Sequence, residues 1–242
     1  MGAVGGGGSS PVSPTPVWPT PVWPTPAPGA LFVTLEGTDG TGKSTQARLL
    51  AERLREAGRE VVVTREPGGA PGAEAIRSLL VTGDPARWSA ETEILLFTAA
   101  RRDHVERVIA PALARGATVI CDRFVDSTRA YQGAARPLVD RLHALAIGRE
   151  ADATLILELD AAAAHARALA RPAADAAADT HEKPREDRFE RKGAAFQARL
   201  AEAFRAIAAA DPARCRLIDA AGSPAEVAAR IDAVLAPWLS PA

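Results

Sequence analysis

Lysine is scarce in this 242-residue chain: only Lys43, Lys183 and Lys192 stand among 29 basic side chains, the rest being arginine. Those 29 bases face 30 acids, so the basic excess that nucleic acid or an anionic membrane surface would demand is missing. Two cysteines, Cys121 and Cys215, are too few for a disulfide framework, and both lie in short apolar runs. They suit buried thiols in a reducing, cytoplasmic compartment, and Cys121 is expected to serve packing only. No run approaches the roughly 18 apolar residues of a membrane span, and the N-terminus has neither the basic nor the apolar region of a signal peptide. With 47% hydrophobic and 24% charged residues, the chain can bury a core without staples.

What is present falls into two unlike parts. Residues 1–30 carry no charge, proline at every second or third position from Pro11 to Pro28, and the repeat PVWPT PVWPT at 16–25. Proline removes backbone donors, so this stretch is expected to be a disordered tail that joins neither ladder nor helix. Trp18 and Trp23 make it resemble a recognition element, yet no function is assigned to it.

From Leu31 onward, short apolar runs alternate with helical stretches, the signature of an α/β fold with a five-stranded parallel sheet and helices on both faces. The strand candidates are 31–36, 60–64, 117–122, 153–159 and 215–220, each apolar enough to be covered on both faces. Helices are expected at 43–57, 72–81, 89–114, 137–148, 160–171, 187–209 and 224–239. Ser89 is a candidate N-cap, and Ser223 with Glu226 forms a capping box around Pro224. Residues 171–187, rich in Ala, Asp and Pro, read as a mobile loop.

Directly after the first strand, Gly37-Thr38-Asp39-Gly40-Thr41-Gly42-Lys43-Ser44 satisfies G-x-x-x-x-G-K-[ST], with Thr45 continuing into a helix. Glycines let backbone N–H groups wrap an anion, the helix N-terminus adds its dipole, Lys43 reaches the β and γ phosphates, and Ser44 can ligate Mg²⁺. In so arginine-rich a chain, the lysine falls where a phosphate loop needs a slim point charge. The chain is expected to bind a nucleoside triphosphate.

Ligands of doubly wound sheets sit beyond the carboxyl ends of the strands. There the sequence places TREPGG, with Glu66, and DRF, with Asp122 and Arg123, an acid and an arginine at each of two strand ends. Phe97 and Arg101 are four residues apart, so a base stacked on the ring would bring its 5′-phosphate near the guanidinium. Ser127, Thr128 and Gln132 could pair a nucleobase, and Tyr131 could sense a sugar 2′-OH.

Taken in order, LEGTDGTGKSTQ, TREPGG, EILLFTAARRDH, CDRFVDSTRAYQG and the late DRFE resemble the thymidylate kinase family over residues 31–239. The resemblance implies a P-loop nucleoside monophosphate kinase-like fold with a lid at about 171–188, transfer of the ATP γ-phosphoryl group to dTMP with Mg²⁺, and a homodimer. It implies that Asp39 contacts the nucleotide 3′-OH, Phe97 stacks on thymine, and Arg77, Arg101 and Arg123 hold the acceptor phosphate. Ser127, Thr128 and Gln132 match thymine-reading positions, Tyr131 the guard against ribose, and Glu66 and Asp122 positions near the metal, with Ser44 and Asp122 as its ligands. No variable residue of the phosphate loop is basic, so the lid must supply a catalytic arginine alongside Lys43 and Arg123. Arg188 is the first choice, then Arg171, Arg185 and Arg191. A nucleoside kinase on the same scaffold and a nucleotide-gated adaptor working through the Trp-Pro tail are the rival readings.

Overall fold

In the computed structural model, the described residues are 21–84, 86–160, 163, 164, 167 and 194–239. Strands β1 (Leu31–Glu36), β2 (Val61–Arg65), β3 (Thr118–Asp122), β4 (Ala153–Glu158) and β5 (Cys215–Asp219) form one sheet in the order β2-β3-β1-β4-β5. Every pairing is parallel. Strand β1 is central, and all six of its residues are buried. The chain leaves it first toward β2 and β3 and later toward β4 and β5, which opens a crevice at its carboxyl end. Asp122 registers with Leu35 on one side and Arg65 on the other, so the segments after β1, β2 and β3 emerge at one edge.

The two-residue strand period sorts the core into two layers. Leu31, Val33 and Leu35 pack with Leu50 and Leu54 of α1 (Lys43–Glu56) and with Ile231 and Leu235 of a terminal helix, Pro224–Leu239. Phe32, Val119 and Cys121 face the other way, onto Ile94, Ile109, Leu113 and Val139. The remaining helices are α2 (Pro71–Val81), α3 (Ala90–His104), α4 (Ala110–Ala114), α5 (Val125–Gln132), α6 (Arg136–Ala146) and α7 (Ala194–Ala210), which makes Pro224–Leu239 α8.

Several expectations are corrected. The outer strands β2 and β5 are only partly covered, because each has a neighbour on one side alone. The single helix expected over 89–114 is broken by a π turn, Val105–Ile109, between α3 and α4. Pro111 has no N–H to donate to the carbonyl four residues back and its ring crowds that carbonyl, so the ladder shifts register just before it. Helix α5 was not anticipated: its inward face is Val125, Asp126, Ser127, Thr128 and Ala130, mostly polar, so no apolar period announces it. Asp126 is buried there because Arg214 and Arg129 both donate to it, at 2.6 and 2.9 Å. The Ser223–Glu226 capping box forms, with Ser223 N–H donating to Glu226 at 2.7 Å and Glu226 N–H to Ser223 Oγ at 3.3 Å. Ser89 Oγ accepts from Thr92 N–H.

The last part of the proline-rich stretch joins neither ladder nor helix, yet it lies against the domain. Trp23 Nε1 donates to the Ile147 carbonyl at 2.5 Å, the Arg102 guanidinium stacks 4.4 Å from its ring centre, and Ala27 N–H donates to the Leu113 carbonyl. The Trp23 bond satisfies a carbonyl at the end of α6 that helix geometry leaves open, whereas the Leu113 carbonyl at the end of α4 also accepts from Gly116 N–H. Trp18, the 160–171 helix apart from residues 160, 163, 164 and 167, and the 171–188 lid with Arg171, Arg185 and Arg188 lie outside the described residues, as does Arg191. No helix among the described residues is long and apolar enough to cross a membrane.

Candidate active site

The phosphate loop bridges β1 and α1, as its spacing demands. Gly37, Gly40 and Gly42 all have positive φ, and a Cβ on Gly37 would come within 2.3 Å of the Leu157 carbonyl oxygen, so glycine is obligatory there. Thr41 is buried and donates to the Thr38 carbonyl at 2.9 Å, which tightens the loop. Lys43 curls back onto the same carbonyl at 2.8 Å, with Asp39 3.9 Å away. Burial, with Arg123 adding to it, pulls the Lys43 ammonium down to about 8.

Ser44 and Asp122 meet at the loop's open side, where the Ser44 hydroxyl donates to Asp122 Oδ2 at 2.5 Å. A hydroxyl and a carboxylate oxygen suit a hard cation that keeps most of its waters, so this pair fits Mg²⁺. Glu66, expected near the metal, is buried with both oxygens engaged: Oε2 accepts from Arg101 Nε at 2.8 Å, and Oε1 faces His104 Nδ1 at 3.1 Å.

Arg101 is 2% exposed, donates to Thr128 Oγ1 at 2.8 Å and lies 5.2 Å from the centre of the Phe124 ring. His104 completes the cluster by bonding Thr64 Oγ1 through Nε2 at 2.7 Å. An ionised Glu66 only accepts, so Nδ1 carries the proton in that pair. Sequence reasoning passed over His104, although it ends the ARRDH segment three residues after Arg101 and therefore shares its face.

Arg123 ties the two halves of the crevice together. Its guanidinium donates to Asp39 at 2.6 Å and to the Gly37 carbonyl and Ser127 Oγ at 3.0 Å each. Tyr131 lies beneath it, with its ring centre 5.5 Å from Cζ and 5.8 Å from that of Phe196 in an edge-type contact. Burial pushes the Tyr131 phenol up to about 12, so it stays protonated. Phe97 is half-buried on α3, Arg77 donates from α2 to the Pro67 carbonyl at 2.7 Å, and Gln132 donates to Glu93 at 3.0 Å. Ser127, expected to read a base, is 8% exposed and donates to Glu36 at 2.5 Å. Cys121, expected to be packing only, directs its thiol to the Arg123 carbonyl at 3.0 Å.

A cation-lined crevice beside a phosphate loop is the arrangement of a phosphotransferase, and the comparisons agree. A family model described as thymidylate kinase matches residues 35–231. Among relatives, the thymidylate kinase of Dinoroseobacter shibae is 56% identical over 86% of this chain and 97% of its own. That of Jannaschia sp. is 53% identical over 88% and 99%. The crystal structure of the Ehrlichia chaffeensis thymidylate kinase superposes with a TM-score of 0.67 at 34% identity, covering 86% of this chain and 100% of that one. This chain belongs to the thymidylate kinase family.

Proposed function

We infer that the protein phosphorylates dTMP to dTDP with ATP as donor, a step of thymidine nucleotide synthesis. The observation that carries this reading is Arg123, whose guanidinium touches the phosphate loop at Asp39 and Gly37 while sitting over Tyr131 of α5. One arginine is thus common to the donor cradle and the acceptor crevice. The loop amides and Lys43 bind the donor phosphates, while Arg123 and Arg77 hold the acceptor phosphate. That phosphate is already ionised at neutral pH, so it needs alignment and charge compensation more than a base.

Arg101 takes a different part from the one the sequence suggested. Its charge is matched by Glu66 and its second nitrogen holds Thr128, so it faces the base side of the nucleotide, with Phe97 as stacking partner. Ser44 and Asp122 would hold Mg²⁺, which when bound offsets charge between the donor phosphates. A lid arginine, Arg188 before Arg171, Arg185 or Arg191, supplies a cation to the transferring group. Homodimer formation belongs to the same reading, supported by the exposed Leu79, Leu95 and Leu145 on α2, α3 and α6, and light scattering tests it. A cytoplasmic setting accords with the two free, buried cysteines.

The test is a substrate panel with ATP and Mg²⁺: dTMP, dUMP, dCMP, AMP and thymidine. Turnover highest on dTMP is expected, and turnover of thymidine without dTMP would overturn the reading in favour of a nucleoside kinase.

A further inference from the structure

Arg123 is the one non-glycine residue with positive φ, at 72°, among the described residues. Left-handed backbone costs an ordinary side chain about 1–2 kcal/mol, so its surroundings must impose it. Its own N–H donates to the Leu35 carbonyl at 2.9 Å, and the Cys121 thiol reaches its carbonyl. The strongest hold comes one residue later, where Phe124 N–H donates to Glu36 Oε1 at 2.7 Å. The other oxygen of Glu36 accepts the Ser127 hydroxyl, and Ser127 Oγ accepts in turn from Arg123 NH1.

Glu36 therefore grips Arg123 twice, through the backbone that follows it and through a hydroxyl that meets its guanidinium. It is 0% exposed and immediately precedes Gly37, whose carbonyl takes a bond from the same guanidinium. We propose that Glu36 is a positioning residue for the acceptor phosphate: it holds Arg123 in its left-handed turn and aims the guanidinium along the phosphate loop. The proposal rests on the dTMP kinase reading and deepens it. A glutamate is the right group, because both partners are donors. Glutamine would offer one acceptor oxygen and turn an amide N–H₂ toward the other donor.

The test compares dTMP with thymidine, which has the same base and sugar but no phosphate to meet Arg123. At pH 8, where Glu36 is ionised, the Kd and KM for dTMP are expected to rise about 10- to 100-fold in Glu36→Gln, the scale of one misdirected charged hydrogen bond. The thymidine Kd and the KM for ATP should stay within about twofold, since that bond touches neither. Ser127→Ala, which cuts only the hydroxyl relay, serves as the second variant and keeps the test open should the first fail to fold. It should weaken dTMP by about 3- to 10-fold, again sparing thymidine. Equal weakening of dTMP and thymidine, or a lowered Tm with both affinities intact, would make Glu36 a merely structural group and overturn the proposal. A wild-type protein that does not phosphorylate dTMP would bring down the functional reading itself, whereas active wild type with unaffected variants brings down the proposal alone.

Discussion

The Lys43 ammonium should give the reaction a descending limb in alkali. It is 7% exposed, and burial together with Arg123 lowers it to about 8, against the opposing pull of Asp39, Asp122 and Glu36. Below that value Lys43 is charged and binds phosphate; above it the charge is lost. About ten molecules in eleven carry it at pH 7 and one in eleven at pH 9, so kcat/KM for ATP should fall about tenfold between them and roughly tenfold for each further unit. The phosphates of ATP are already ionised over this range, so the fall reports on the enzyme. The assay follows ADP release at saturating dTMP from pH 7 to 10. Lys43→Arg should lower kcat/KM throughout, because a planar fork replaces a compact ammonium, but its curve should lose the limb, since guanidinium stays charged beyond pH 12. A wild-type profile flat to pH 9.5, or a limb that persists in Lys43→Arg, would refute the assignment.

Removing the Trp23 ring should cost about 1–2 kcal/mol, given its partial burial, and lower Tm by about 3–6 °C, while dTMP turnover well below Tm stays unchanged. Scanning calorimetry checks the first, and a changed rate would make the segment around Trp23 part of the active site. Gly42→Ala meets nothing within 4 Å and should lose only the left-handed backbone cost of about 1–2 kcal/mol. Gly37→Ala also drives a Cβ against the backbone carbonyl of Leu157, so in urea unfolding it should be the more destabilised of the two. Burial and Asp126 raise Glu36 to about 7 from 4.5, against Ser127, Arg123 and the Phe124 N–H. The folded state thus holds the extra proton between these values, and that stabilisation is present below 4.5 and lost as pH rises through 7. Glu36→Gln, which does not ionise, should therefore gain about 2–3 kcal/mol on the wild type from pH 5 to pH 8; parallel urea stabilities at the two pH values would contradict the burial.

The fold was legible where burial leaves a simple pattern. Strands β1, β3 and β4 are covered on both faces and read as unbroken apolar runs, and the phosphate loop announces itself because anion binding restricts it to glycine, lysine and a hydroxyl. Helix α5 was hidden because its buried side is held by hydrogen bonds and ion pairs, which leave no apolar period. The same holds within the site. Sequence spacing put Phe97 and Arg101 on one face, but that Arg101 is matched by Glu66, whose other oxygen meets His104, depends on a residue 35 positions away in the chain. Glu36 looked like the last residue of a strand, since only the left-handed turn at Arg123, just after β3, gives it something to hold.

The burial of the two arginine–carboxylate pairs decides which arginine can release its partner to a phosphate. Arg123 and Asp39 are 17% and 32% exposed, and a partly solvated pair of this kind is worth about 1 kcal/mol at most. Charged hydrogen bonds to an incoming phosphate contribute about 1.5–3 kcal/mol each, so an exchange of Asp39 for phosphate would run downhill and would free the carboxylate for a sugar hydroxyl. Arg101 and Glu66 are 2% and 4% exposed, and separating a buried pair costs about 3–5 kcal/mol, more than one phosphate contact returns. Arg101 is therefore expected to stay paired and to meet the nucleotide only through a donor that Glu66 leaves open, which would suit a neutral carbonyl better than an anion. Asp39→Asn should therefore disturb dTMP binding modestly, whereas Glu66→Gln should weaken thymidine and dTMP alike, because the base side is lost with either ligand. Isothermal titration of both nucleotides against both variants measures it, and a Glu66→Gln protein that loses dTMP but keeps thymidine would put Arg101 back on the phosphate.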